Sequence, residues 1–284
     1  MSIPFQPPAL AALRSIYPER PGLLRHELCG HELLTLEALV DLAQRIRPED
    51  AEYNRGDLPI GLDPGLTPSN GLTVAETIRS IERCGSWMVL KFIEQDEAYH
   101  ALLRGALEPL RPLVREVTGE MLKMEGFIFI SSPGAVTPFH FDPEHNILLQ
   151  IRGRKTMTVF PAGDEEVAAG ALHEAFHDGG HRNLPWDDGF GAKGEAFELA
   201  PGDAVYVPVK APHWVKNGPE PSISLSITWR SQWSFHEEYA HGFNRLARKA
   251  GLRPSPPRRF PHHNLAKSFA YRAVRRAART LRQN

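Results

Sequence analysis

The first 120 or so residues show apolar positions recurring with the 3.6-residue period of amphipathic helices. The stretch LTLEALVDLAQRI places its apolar side chains on one helical face, with Thr35 as the predicted N-cap. A second helix is predicted to begin at a capping box formed by Thr73 and Glu76. Residues 54–72, between the two helices, are rich in Gly, Pro and Asn and predict a loop. WMVLKFI, at 87–93, predicts a strand.

After Gly126 the pattern changes to short apolar runs that are separated by turn residues. The predicted strands are, in order, GFIFIS, NILLQI, KTMTVFP, AFELA, AVYVPV, HWVKN and SISLSITW. Strands of this length and spacing are typical of an antiparallel sandwich or barrel. Residues 161–196 interrupt the series with a short helix-like stretch and a Gly- and Asp-rich loop. Long insertions of this kind often carry function.

These two patterns predict a mostly β core with flanking helices, organised in three parts. Residues 1–124 would form a mainly helical N-terminal region that packs on the core. Residues 125–235 would form the β core with its insertion, and residues 236–284 a helical, basic tail. In the tail, LAKSFAYRAVRRAARTLRQN has apolar residues on one helical face and basic residues on the other. We expect this helix to pack on its own chain or on a second subunit.

Composition narrows the class of protein. Of the 284 residues, 42% are apolar and 24% are charged, which is ordinary for a globular protein. Two cysteines, Cys29 and Cys84, provide no disulfide framework and favour a reducing compartment. The N-terminus lacks the pattern of a signal peptide, and no apolar run reaches the roughly 18 residues of a transmembrane helix. We therefore predict a cytoplasmic protein.

The net charge of −1 conceals an asymmetry along the chain. From Arg253 to the C-terminus there are nine Lys or Arg residues and no Asp or Glu. The rest of the chain carries 24 basic and 34 acidic residues, a net charge of −10. A generally basic nucleic-acid-binding surface on the main body is thereby excluded. Contact of the tail with nucleic acid or acidic lipid stays a minor alternative.

The segment TPFHFDPEHN carries the candidate chemistry. In a strand, residues i and i+2 project from the same face, so His140 and Asp142 can offer a nitrogen and a carboxylate oxygen to one metal ion. Alone, this pair is equally consistent with a polar turn between strands. His213, which opens the strand HWVKN, is the best candidate for a third ligand. Two histidines and one carboxylate leave positions open on an octahedral ion, which suits non-haem Fe(II).

Lys155 and Thr137 strengthen the metal-site interpretation. Lys155 begins the strand KTMTVFP, 15 residues after His140, and would share one face with Met157 and Val159. A lysine directed into a barrel is costly unless an anion pairs with it. A dicarboxylate cosubstrate would provide that anion, and the Thr137 hydroxyl would add a donor close to the metal.

Together these segments resemble the JmjC and cupin-like Fe(II)/2-oxoglutarate oxygenases. The resemblance rests on GAVTPFHFDPEHNILLQIRGRKTMTVFP, PGDAVYVPVKAPHWVKN and SISLSITW, and it covers residues 125–235. The most similar subgroup is the protein hydroxylases that include the asparaginyl hydroxylase of hypoxia signalling. The resemblance implies a double-stranded β-helix, the jelly-roll or cupin fold. It also implies a dioxygenase that uses Fe(II) and O2 and couples 2-oxoglutarate decarboxylation to oxidation of a substrate C–H bond.

The resemblance implies a role for each matching residue. The metal ligands, and therefore the catalytic residues, would be His140, Asp142 and His213. The residues of the 2-oxoglutarate pocket would be Thr137, Asn146, Lys155 and Ser226. Among them, Lys155 would bind the distal carboxylate with help from Thr137. Ser226 stands where the family often has an asparagine.

The resemblance also bears on substrate and partners. Family members hydroxylate or demethylate protein side chains, methylated lysines, RNA and small molecules. A protein side chain or a small molecule is the expected substrate here, chosen by variable loops such as 161–196. Several JmjC hydroxylases dimerise through C-terminal helices, so a homodimer through the basic tail is expected.

Three alternative interpretations stay open. HEAFH, at 173–177, matches the HExxH motif of zinc metalloproteases, but its helical stretch is short and Asn183 stands where the extended motif needs a histidine. A cupin-type metalloenzyme without 2-oxoglutarate would make Lys155 dispensable. A non-catalytic jelly-roll regulator would bind nucleic acid through its C-terminal helix. His145 is expected beside the site and not as a ligand.

Overall fold

The computed structural model describes residues 4–61 and 68–283. Residues 62–67 of the predicted loop lie outside the described residues. The beginning of that predicted loop is part of a strand, because Asn54 and Arg55 pair with Trp87 and Ser86 across an antiparallel ladder. Backbone pairing has here overridden a composition that is typical of loops.

Eleven strands in the described residues form two antiparallel sheets. The strands are β1 (Gly22–Arg25), β2 (Ala51–Arg55), β3 (Ser86–Lys91), β4 (Met121–Ser131), β5 (Val136–His140), β6 (His145–Arg152), β7 (Lys155–Val159), β8 (Glu195–Leu199), β9 (Asp203–Val207), β10 (His213–Asn217) and β11 (Ser222–Ser231). The seven-stranded sheet has the order β1-β9-β6-β11-β4-β3-β2, and the four-stranded sheet has the order β5-β10-β7-β8. Every strand predicted after Gly126 is present.

Eight helices in the described residues flank these sheets. They are α1 (Pro7–Ile16), α2 (Leu36–Arg45), α3 (Val74–Arg79), α4 (Glu97–Leu107), α5 (Arg111–Thr118), α6 (Gly170–Phe176), α7 (Gln232–Lys249) and α8 (Leu265–Gln283). None of these helices combines the length and the apolar character that a membrane crossing requires. The N-terminal region contributes β1, β2 and β3 to the large sheet as well as five helices. The proposed boundary between residues 124 and 125 falls inside β4, and the division into three parts stays a prediction.

The central strands separate two hydrophobic cores. Ile147 and Leu149 of β6 face the core that the N-terminal helices cover. Leu148, between them, packs with Met157 of β7 and Val205 of β9 in the core between the sheets. Successive side chains of a strand point to opposite faces, so each central strand contributes side chains to both cores. This arrangement confirms the predicted antiparallel sandwich.

The 161–196 insertion folds back on the outside of the small sheet. Phe139 and Phe141, which flank the end of β5, pack there with Leu184 and partly buried Trp186. The Leu184 N–H donates a hydrogen bond of 2.9 Å to the Phe139 carbonyl. The end of the insertion is therefore fixed beside β5.

The predicted C-terminal helix is present as α8. It packs against α7 through Ser268, which is buried, and Tyr271, whose ring leaves no room for a side chain at Gly242. Phe269 and Val274 of its apolar face remain 75% and 51% exposed. The helix α8 therefore packs on its own chain through α7, while part of its apolar face stays exposed.

Candidate metal centre

Strands β5 and β10 bring His140 and His213 side by side. The two residues pair across the small sheet, and their ring centroids are 4.2 Å apart. Because β5 ends at His140, Asp142 lies in the turn before Pro143 and not on the strand as alternation had suggested. The Lys210 N–H donates a 2.7 Å hydrogen bond to the Asp142 carbonyl and holds this turn against the loop that precedes β10.

The three predicted ligands converge on one point. One ligand atom from each of His140, Asp142 and His213 lies within 4.8 Å of the other two. The Nδ1–H of His140 donates to the Pro138 carbonyl at 2.7 Å, and that of His213 to the Ala211 carbonyl at 2.9 Å. These bonds fix the tautomer that leaves the Nε2 lone pair of each ring free. The donor set is that of the two-histidine, one-carboxylate sites of non-haem iron.

The electrostatics of the site favour the protonation states that bind a metal. Burial, together with the neighbouring His213, lowers the pKa of His140 to about 3. Burial also lowers the pKa of His213. Burial by itself would raise the pKa of Asp142, but the Arg182 guanidinium and the two histidines outweigh it and lower this pKa to about 2. At neutral pH the site therefore presents two neutral imidazoles and one carboxylate, the forms that ligate metals.

The three ligands open into a cavity of about 380 Å³. Lys155 lies in its wall with only 6% of its surface exposed. Its side-chain amine forms no hydrogen bond or ion pair with any described residue, and burial lowers the pKa of this amine to about 7. Met157 and Val159 share its buried face of β7, as predicted. A buried amine without a partner is costly, so the cavity is suited to an anion.

The remaining predicted pocket residues line the same cavity. Asn146 donates from Nδ2 to Asp142 Oδ2 at 3.3 Å and accepts from Ser226 Oγ at 2.8 Å. Ser226 therefore orients Asn146, which in turn holds the carboxylate. Thr137 Oγ1 accepts a 3.1 Å hydrogen bond from Trp87 Nε1, so its own proton stays available to a ligand. The structure thus brings all seven predicted residues to one cavity, while their roles remain predictions.

Two charged residues of the cavity have no signal in the sequence pattern. Arg182, from the insertion, places Nη1 2.6 Å from Asp142 Oδ1. It reaches this position because the adjacent Asn183 forms an isolated antiparallel bridge with His140. Glu144 is buried beside the ligands, and burial together with the Asp142 charge raises its pKa to about 7. The Arg182 contact arises from tertiary structure, and Glu144, although it lies within TPFHFDPEHN, was given no role by the sequence pattern.

His145 is not one of the clustered ligands, as expected, but it does not line the cavity beside them. Its ring forms hydrogen bonds of 3.0 Å with the hydroxyls of Tyr206 and Ser231. It also stacks on Trp229 with ring centroids 5.3 Å apart. Both ring nitrogens are therefore engaged in hydrogen bonds, and the ring packs in the helix-covered part of the molecule.

The HEAFH stretch does not form a zinc site. Glu174, which would serve as the base, pairs with Arg248 at 3.0 Å. His173 packs edge-on against Phe141 with ring centroids 4.4 Å apart, and burial lowers its pKa to about 2. In the part of the chain that the structure describes, only His140, Asp142 and His213 combine metal-ligand chemistry with the required spacing.

Part of the cavity is formed by a segment that has known relatives. Residues 89–169 match the sequence profile of the family described as the cupin-like domain. This part of the chain is therefore similar to cupin-like domains. The matched residues include His140, Asp142 and Lys155, whereas His213 lies beyond them.

One relative with a similar sequence is Jumonji C domain-containing protein 5 of Drosophila melanogaster, with 31% identity over 112 residues. The alignment covers 36% of this chain and 26% of that protein, so the matched part amounts to about a quarter of the relative's length. The family profile and this relative confirm the predicted resemblance to cupin-like and JmjC proteins.

Two solved structures of Escherichia coli YcfD are similar in fold. One has a TM-score of 0.49 and 18% identity, and covers 93% of this chain and 66% of YcfD. The other, described as a ribosomal oxygenase in complex with cobalt and 2-oxoglutarate, has a TM-score of 0.49 and 16% identity, and covers 92% and 65%. Similarity at this level does not by itself assign an activity.

Proposed function

We propose that this protein is an Fe(II)- and 2-oxoglutarate-dependent oxygenase that hydroxylates its substrate. The observation that carries the proposal is one cavity that contains both the His140, Asp142 and His213 cluster and the buried, unpaired Lys155. The cluster alone would suit many cupin metalloenzymes. The ammonium group in the same cavity adds a counter-ion for a dicarboxylate, which a cupin enzyme without 2-oxoglutarate would not need.

The residues present fit this metal. The Nε2 atoms of His140 and His213 and one oxygen of Asp142 would hold Fe(II), because their other polar atoms are engaged by the backbone or by Arg182. When bound, Fe(II) together with 2-oxoglutarate and O2 supplies the oxidation of a substrate C–H bond to C–OH, while 2-oxoglutarate becomes succinate and CO2.

The cosubstrate pocket follows from the same cavity. Lys155 would pair with the distal carboxylate of 2-oxoglutarate and fix the direction in which the cosubstrate lies. Thr137 offers a hydroxyl proton to the same molecule. Leu148 and Met157 form an apolar part of the cavity wall, and this apolar surface excludes water from the reacting groups.

The test is anaerobic addition of Fe(II) and 2-oxoglutarate, followed by the visible charge-transfer band of the chelate. We expect the band in the wild type, no band in His140→Ala, and a band in Lys155→Ala only at much higher 2-oxoglutarate concentration. Lys216→Ala is the matched control, because Lys216 is exposed on β10 and bonds only the Gly134 carbonyl. If the intact protein gives no band, or if both variants match the wild type, the proposal is wrong.

We propose that the substrate is a protein side chain or a small molecule. The cavity is also lined by Trp87 and Phe92 and by the Glu52–Lys91 ion pair at 2.6 Å. Aromatic faces and a paired charge suit a polar side chain on an apolar stem. Mass spectrometry of a lysate incubated with the protein, Fe(II) and 2-oxoglutarate should reveal a product that has gained one oxygen atom. The His140→Ala protein should not form that product.

We further propose a homodimer through α8, in the cytoplasm. The exposed apolar face of α8 supports the dimer, and the unpaired state of Cys29 and Cys84 supports a reducing compartment. Sedimentation should show that Phe269→Asp converts the dimer to a monomer. Leu23→Asp, at a residue 51% exposed on β1, should leave the dimer intact. A wild-type protein that sediments as a monomer, and sediments faster when DNA is added, would instead favour nucleic-acid binding.

Fractionation of cells tests the proposed cytoplasmic location.

A further inference from the structure

The insertion holds one oxygen of the candidate metal ligand Asp142. Arg182 Nη1 lies 2.6 Å from Asp142 Oδ1. The other oxygen, Oδ2, faces a different group of atoms, with Asn146 Nδ2 at 3.3 Å and His213 Nε2 at 3.7 Å. The two oxygens of this carboxylate are therefore distinguished before any metal binds. Oδ2 is the oxygen that lies toward His213.

The position of Arg182 is fixed by the backbone. Its carbonyl accepts a hydrogen bond of 3.3 Å from the Phe141 N–H, and the next residue, Asn183, bridges to His140. Leu184 then anchors the segment through its 2.9 Å bond to Phe139 and its burial. The backbone of Arg182 and of the two residues after it is thus attached to the segment that carries the first two ligands. This anchors the backbone from which the guanidinium reaches Asp142, although 42% of the Arg182 side chain is exposed.

We propose, building on the oxygenase function above, that Arg182 is a positioning residue that confines Asp142 to single-oxygen ligation through Oδ2. A carboxylate can bind a metal through one oxygen or through both. Ligation through both would occupy a fourth protein-held position on an octahedral ion. Single-oxygen ligation leaves three positions, which is the number needed for a chelating cosubstrate and O2.

Charge and geometry predict opposite results for the removal of Arg182. A cation beside a divalent metal repels it, so charge alone predicts that the metal binds more tightly without Arg182. Loss of a group that orients a ligand instead weakens metal binding, typically by about 10- to 100-fold. The proposal requires the second result, together with a changed coordination geometry.

The experiment is titration of the full-length protein with Co(II) alone, followed by visible absorption. We expect Arg182→Met to bind Co(II) about 10- to 100-fold more weakly and with an altered spectrum. Arg182→Lys keeps the charge but lacks the planar fork of donors, so we expect it to resemble Arg182→Met. The control is Arg245→Met, which removes an ion pair with Asp178 at 3.0 Å on the surface, and it should match the wild type.

The outcomes separate this proposal from the proposed function. If the wild type binds no Co(II), or if His140→Ala binds it equally well, the metal site itself is wrong. If the wild type binds Co(II) and Arg182→Met binds it as tightly or more tightly with an unchanged spectrum, only the role of Arg182 is overturned. Circular dichroism checks that each variant folds. If Arg182→Met does not fold, Arg182→Lys provides the test. Wild-type Co(II) affinity and a wild-type spectrum in Arg182→Lys would show that the positive charge of Arg182 is sufficient, and would overturn the positioning role.

Discussion

Lys155→Met should make the protein without ligands more stable while it removes 2-oxoglutarate binding. The Lys155 ammonium is buried in the cavity wall and has no partner among the described residues. Methionine has a similar length and is apolar, and it would stand beside Met157 on the same face of β7. A residue kept for ligand binding is thus predicted to lower the stability of the fold.

The magnitude follows from the pKa of Lys155. Burial lowers this pKa from 10.5 to about 7. The unfolded state therefore binds more protons than the folded state between these two values, so stability rises as the pH rises through this window. At about 1.36 kcal/mol per pKa unit, the lysine costs about 5 kcal/mol at pH 6 and about 2 kcal/mol at pH 9. The increment from Lys155→Met should shrink by about 3 kcal/mol between these pH values.

Urea denaturation at pH 6 and pH 9, with a chelator present, measures these increments. Lys216→Met on the exposed face of β10 is the control, and it should change the free energy of unfolding by less than about 0.5 kcal/mol. Two results would refute the reasoning. One is a Lys155→Met protein that is less stable than the wild type at both pH values. The other is an increment that does not depend on pH.

Three further predictions concern the cosubstrate, the metal and the core. The 2-oxoglutarate anion pairs with the charged form of Lys155, and this form becomes rarer as the pH rises above about 7. The affinity of Mn(II)-loaded protein for 2-oxoglutarate, measured by calorimetry, should therefore fall roughly 25-fold from pH 6.5 to pH 8.5. An affinity that does not change with pH would contradict this. Mn(II) at about 100 times its Kd should raise the free energy of unfolding by about 2.7 kcal/mol in the wild type but not in His213→Ala. Ile227→Ala, at a fully buried residue, should cost about 2–5 kcal/mol on urea unfolding and leave the metal affinity of the folded protein unchanged. Leu122→Ala, at a residue 40% exposed on β4, should cost less than about 0.5 kcal/mol, and an equal cost at both positions would contradict the assignment of the core.

The elements that were predicted correctly are those with local causes. Thr35 accepts the 3.3 Å hydrogen bond from the Ala38 N–H that makes it an N-cap, and Thr73 and Glu76 form the reciprocal bonds of a capping box. Both patterns lie within four residues of sequence. Strand β1 has four residues and no alternation of its own, and it forms because it pairs with β9 from the far end of the chain. No local pattern could have predicted it.

The candidate site divides in the same way. His140 and Asp142 are close in sequence, so their spacing alone identified them as candidate metal ligands. His213 is far from both in sequence, and it was selected by its place at the start of a strand and by resemblance to a family. Arg182 had no signal of either kind, because its contact with Asp142 depends on how the insertion folds against β5.

The position of Asp142 changes what the HxD motif means in this chain. Strand alternation had placed Asp142 beside His140, but β5 ends at His140, two residues before Asp142. Contacts from three separate segments hold Asp142 instead: the N–H of Lys210 on its carbonyl, and Asn146 and Arg182 on its two carboxylate oxygens. A substitution at Asn146 or Arg182 can therefore change the orientation of the carboxylate at the metal while the motif stays intact, whereas the backbone contact of Lys210 does not depend on its side chain. It follows that an HxD sequence is weaker evidence of a working metal site than the three contacts that orient its aspartate.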